Sequence, residues 1–132
     1  MTRKLLIVTA ILEAATGAAL LALPALVISV LLGTYLDSPG GVTVARVAGA
    51  AMLSLGVACW LARHDGQSRP GRGVVTAMLV YHVAAAALLA NAGLLLGMTG
   101  IGLWPAAAGH VALAVWSIAC LRSAGVSGSP RQ

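Results

Sequence analysis

The sequence predicts an all-α membrane protein, a bundle of four transmembrane helices with both termini in the cytoplasm. Composition is the first observation behind this. Apolar residues make up 60% of the chain, charged residues 8%, and the mean hydropathy is +0.98, against roughly 45–50% apolar and 25% charged in soluble domains. Charge placement is the second. Seven of the eight Lys and Arg residues lie outside the apolar stretches, and all seven fall on one side once the stretches are counted. Arg3 and Lys4 precede the first stretch, Arg63, Arg69 and Arg72 separate the second from the third, and Arg122 and Arg131 follow the fourth. The connectors around Thr34–Gly41 and Gly97–Gly102 carry none. Basic residues remain on the cytoplasmic side during insertion, which orients the bundle. A multi-pass integral membrane protein is expected.

The first helix is expected from about Leu5 to Leu32, with a kink or an end at Pro24, whose ring clashes with the preceding turn. The run is too long for the ~7–15-residue apolar core of a signal peptide, so it is expected to persist as a helix. It also exceeds the ~20 residues a span needs and should tilt or project. Tyr35–Gly41 reads as a turn-rich loop, and a second helix as about Val42–Ala62. Arg63–Gly73 is the most polar segment and the expected cytoplasmic loop; a third helix follows at about Val74–Leu96. After a Gly-rich turn comes the fourth, about Leu103–Leu121. Residues 1–121 thus form a single domain, and 122–132 a flexible cytoplasmic tail.

Trp60, Trp104, Trp116 and Tyr35 fall near helix ends, where amphipathic rings meet headgroups. No Phe occurs anywhere in the chain, and small residues crowd the helices instead. Ala45/Gly49, Gly93/Gly97 and Ala108/Ala112 are spaced i, i+4, which lets helix backbones approach closely, within the chain or across an oligomer seam. Cys59 and Cys120 form neither a CxxC nor a Cys/His ligand pattern and are expected as reduced core thiols.

The net charge of +5 is spread over three membrane-flanking segments without a basic helix, which argues against nucleic acid and for contact with the lipid bilayer. No Ser/His/Asp set, HExxH, phosphate loop or acidic metal cluster is present, so no catalytic residue and no metal ligand set is expected.

The apolar stretches hold Glu13, Arg46, His82 and His110. A charge at mid-bilayer costs at least ~2.5–3.5 kcal/mol and needs a partner or a wet cavity. With a rise of ~1.5 Å per residue, Glu13 and His82 each sit roughly 12 Å from the cytoplasmic ends of their expected helices. Arg46 lies about 6 Å and His110 roughly 10 Å from the outer ends. These levels pair Glu13 with His82, and Arg46 with His110 and Asn91. Thr9, Glu13 and Thr16 share one helix face, a polar stripe on an apolar rod. A carboxyl that exchanges a proton there would suit coupled transport. Arg46 is shallow enough to snorkel to headgroups. His82 and His110 are candidate haem ligands, although levels ~8 Å apart favour a haem shared between two copies over one within a protomer. His64, beside Asp65 in the polar loop, is expected in solvent.

The segment A10-I-L-E13-A-A-T-G17 resembles the opening helix of the small multidrug resistance transporters, which implies a proton- and cation-binding role for Glu13. The chain departs from that family in its low aromatic content, its one-sided loop charges and its Arg46. Over most of its length the plan is similar to the DoxX-like group of bacterial four-helix membrane proteins. The similarity rests on an acid in the first helix, R46-V-A-G49-A-A-M-L-S-L-G56 opening the second, and four close spans. That resemblance implies an accessory subunit, with some members tied to quinone-linked redox complexes. The sequence therefore leads to a non-catalytic inner-membrane subunit that forms a homo-oligomer or docks on other membrane subunits. Its alternatives are a proton-coupled transporter using Glu13, and a haem- or quinone-binding subunit.

Overall fold

The computed structural model describes residues 1–126, with side chains as far as Ser123. Among these residues the chain is entirely helical, in five helices: α1 (Thr2–Ala22), α2 (Pro24–Leu32), α3 (Pro39–Ala62), α4 (Arg69–Leu94) and α5 (Leu103–Val126). Four of them, α1, α3, α4 and α5, are long and apolar enough to cross a membrane.

Of the two outcomes expected at Pro24, the structure shows an end rather than a kink. Leu23, which precedes Pro24, leaves the helical region (φ −132°, ψ 56°), and Pro24 restarts the chain as the first residue of α2. Proline bars its neighbour from the helical conformation, and its missing N–H costs nothing at a helix start. Gly33, at φ 70°, then ends α2 in the left-handed region.

Helices α3 and α4 begin three and five residues earlier than the hydropathy suggests. Each opens on a serine cap followed by proline. Ser38 Oγ accepts from the Gly41 N–H at 3.1 Å, and Ser68 Oγ from the Gly71 N–H at 3.0 Å. Satisfying these otherwise orphaned donors extends the helices into polar sequence. At the other terminus, the expected tail from Arg122 is helical as far as Val126, and its residues 127–132 lie outside the described residues.

Helix α1 packs along α3, and α4 along α5, with sparser contact between the two pairs. The α1–α3 seam is built on small residues. A Cβ on Gly17 would lie 2.6 Å from both Gly49 O and Leu53 N, and one on Gly56 would lie 2.8 Å from Ala14 N. The Ala45/Gly49 spacing is thus used within the chain, whereas Ala108 and Ala112 of α5 stay exposed.

The ends of the bundle sort as the charge pattern requires. The N-terminus meets the α3–α4 connector, with Gln67 Nε2 donating to Thr2 Oγ1 at 3.1 Å. At the opposite end the Gly102 N–H donates to Val30 O at 2.9 Å, tying α2 to the α4–α5 connector. Cys59 and Cys120 are both buried and free, in one apolar cluster with Leu5, Leu6 and Val75. Val44, Val47, Leu88 and Val115 face outward, more than half exposed, while Thr9, Glu13, His82 and Ser117 are buried. An apolar outside around a partly polar inside is what a lipid environment favours.

Candidate functional site

Three helices each deliver one side chain to the same point. Buried residues of α1 recur as Leu5, Leu6, Thr9, Ala10, Glu13, Gly17 and Leu20, a helical stripe that turns Glu13 inward. On α4 the stripe is Gly71, Val75, Met78 and His82. On α5 Leu103, Ala107, Ala114 and Ser117 are buried, and His110 falls on the same face. Glu13, His82 and His110 consequently present ligand-type atoms that all lie within 4.8 Å of one another. His82 Nδ1 and His110 Nδ1 are 3.0 Å apart, with ring planes tilted by 43°.

Tyr81 completes the group. Its ring meets that of His110 edge-on at 5.6 Å between centroids, and it lines the same cavity as Glu13. Glu13 is 2% exposed and His82 0%, whereas Tyr81 and His110 are half-buried.

The cluster is not self-sufficient. Glu13 Oε2, His82 Nε2 and Thr9 Oγ1 are buried without a hydrogen-bond partner. Whichever ring donates in the His82–His110 contact, His82 Nε2 is left over. Each orphaned group costs ~1–3 kcal/mol, and more where charged, which is a strong bias toward something that can complete it.

A cavity of about 440 Å³ lies directly against the cluster. Glu13, Thr16, Tyr81 and His110 contribute its polar groups, and Leu20, Val27, Leu31 and Met52 are among its apolar walls. Val27 and Leu31 come from α2, so the break at Leu23–Pro24 is what brings that helix over the space. The cavity opens between mid-helix residues, with Leu12, Thr16, Leu88 and Gly109 exposed at its rim, and therefore sideways rather than at an end of the bundle.

Glu13 and His82 meet as their levels suggest, but the expected pairing of Arg46 with His110 and Asn91 does not form. Arg46 and Asn91 are both exposed, away from the cluster, and His110 joins Glu13 and His82 instead. The reason is helix length. Because α4 starts at Arg69, His82 sits ~20 Å above the cytoplasmic end, and His110 is ~10 Å below the other end. Together these depths fill the ~30 Å hydrocarbon thickness, so the two rings share a level.

The same contact removes a haem held between His82 and His110. Two axial nitrogens at ~2.0 Å from one iron stand roughly 4 Å apart with the macrocycle between them, and facing nitrogens only 3.0 Å apart leave no such space. His82, fully buried, also offers nothing to a second copy. His64 is exposed in the α3–α4 connector.

Tyr81 escapes a sequence reading that assigns aromatic hydroxyls to membrane interfaces. Its position in mid-α4, far from either interface, is the signal that its hydroxyl needs an internal partner. Compared with protein-family models, curated proteins and solved structures, the chain matches none at a significant level.

Proposed function

We propose that this is a multi-pass protein of a bacterial inner membrane that takes a lipophilic small molecule from the bilayer and holds its polar head against Glu13, Tyr81 and His110. The carrying observation is that Glu13, whose buried Oε2 has no hydrogen-bond partner, lines a sideways-opening apolar cavity together with Tyr81 and His110. A volume of about 440 Å³ falls within the ~300–1,000 Å³ of small-molecule sites, which characteristically combine apolar walls with a few convergent polar groups. A quinone-type ring fits this chemistry. Its carbonyl oxygens accept hydrogen bonds from the tyrosine hydroxyl and an imidazole N–H, and its apolar tail leaves through the rim. The DoxX-like plan, with members tied to quinone-linked complexes, supports the same reading. Both termini are placed in the cytoplasm, on the strength of the one-sided basic residues.

Titration of the purified protein in nanodiscs with a short-chain ubiquinone analogue tests the reading. Saturable binding that weakens in Glu13→Gln and Tyr81→Phe supports it. Binding that is linear with lipid content, or equal in wild type and both variants, refutes it.

A second reading, a subunit that oligomerises or docks on a larger membrane complex, draws on Ala108 and Ala112, which stay exposed on α5 at a spacing suited to close helix contact. Under that reading Ala108→Leu converts a native oligomer to monomers. A wild-type protein that is already monomeric after mild extraction removes it.

A further inference from the structure

The cluster at the cavity floor has the donor set of a metal centre. We infer that Glu13, His82 and His110 bind one divalent first-row transition ion through two imidazole nitrogens and a carboxylate, leaving coordination positions open toward the cavity. The three donors come from α1, α4 and α5, so no sequence spacing announces them, yet they converge within 4.8 Å of one another. Two metal–nitrogen bonds of ~2.1 Å meeting at a right angle hold their nitrogens ~3.0 Å apart. That is the separation of His82 Nδ1 from His110 Nδ1.

Glu13 Oε2, buried and without a partner, supplies the anionic ligand. It lies at most 4.8 Å from the two imidazole nitrogens, wider than the ~3.0 Å between neighbouring ligands on one ion, a gap the three side-chain torsions of Glu13 can close. Two histidines and one carboxylate on one side of an ion form the facial arrangement that keeps the opposite positions free for exogenous ligands. Here Glu13 and His110 both line the cavity, so those positions face it. Imidazole with carboxylate suits iron, zinc and their neighbours, while magnesium and calcium prefer all-oxygen shells.

The inference stands on the donor set and not on the molecule that fills the cavity. Protein without a polyhistidine tag, stripped with chelator and reloaded with cobalt(II), is assayed by metal analysis and visible absorption. The expected result is about one cobalt per chain, with d–d bands that disappear in Glu13→Gln and in His110→Asn but persist in His64→Asn. If Glu13→Gln fails to fold, His110→Asn carries the test, because its ring borders the cavity rather than the packed core. Absence of d–d bands in the wild type, or equal cobalt in wild type and His110→Asn, overturns the inference. Cobalt binding without quinone-analogue binding keeps the metal centre and discards the quinone reading, and the converse result discards the metal centre alone.

Discussion

Substituting Gly17 by alanine adds one carbon where α1 and α3 touch through their backbones. That carbon would lie 2.6 Å from Gly49 O and from Leu53 N, whereas ordinary contact begins near 3.4 Å. The obstacle is main chain on both sides, so no rotamer change relieves it, and the helices must separate by ~0.8 Å, the shortfall from ordinary contact. A gap of this size forfeits a quarter to a half of the dispersion energy along the seam. The expected loss is ~1–3 kcal/mol, the range of overpacked cores. Gly49→Ala meets Gly17 O at 2.8 Å and Leu20 Cβ at 2.9 Å, with a similar cost. The double variant should cost less than the sum, since one separation relieves both contacts. Gly73→Ala is the control: nothing lies within 4 Å of its added carbon, and alanine is favoured by ~0.5–1 kcal/mol inside a helix. Reversible unfolding in mixed micelles measures all four. A Gly17→Ala protein within ~0.5 kcal/mol of wild type, the range of inconsequential surface changes, would refute the close-packed seam. Because Glu13 lies one turn from Gly17, the same variant should also weaken ligand binding.

Tyr81→Phe should fold normally and bind the quinone analogue ~2–10-fold more weakly, the worth of one hydrogen bond, as read by the same titration; an unchanged affinity would remove Tyr81 from the site. Arg46→Ala, at an exposed position away from the cluster, should leave that affinity unaltered, and a large loss would return Arg46 to the site. Cys59 and Cys120, both buried, should resist maleimide in the folded protein and react after unfolding in dodecyl sulfate, and rapid native labelling would contradict their burial. Straightening the break with Pro24→Ala should let α1 and α2 run on as one helix, withdraw Val27 and Leu31 from the cavity wall and lower affinity without loss of helical circular dichroism; wild-type affinity would mean that α2 does not shape the cavity.

The helices and their alternation were readable because hydropathy and basic residues act in the same direction over long stretches. Helix starts were not read from hydropathy, although Ser38-Pro39 and Ser68-Arg69-Pro70 are capping signals, because Arg69 and Arg72 make the first turn of α4 look like loop. That small error had a large consequence. It lowered His82 by ~8 Å, five residues of helical rise, paired His110 with Arg46, and hid the three-helix cluster. Glu13, His82 and His110 were each visible as costly polar residues in apolar stretches. Their convergence was not, since it depends on which face of α5 turns inward, and the small, evenly apolar residues of α5 give that face little contrast. Proline announces the break at Leu23–Pro24, but the sideways cleft also needs sparse contact between the helix pairs, which leaves no pattern in sequence.

The central claim is that the occupant sits between α1 and α5, against Glu13 and His110. Photo-crosslinking in nanodiscs with an azido-quinone analogue, followed by peptide mass spectrometry, locates it directly. The account predicts adducts confined to the cavity-lining segments around Leu12–Leu20, Val27–Leu31, Tyr81–Leu89 and Pro105–Leu113, competed away by unlabelled analogue. Adducts scattered over the outward faces of α3 and α4, or insensitive to competitor, would contradict it.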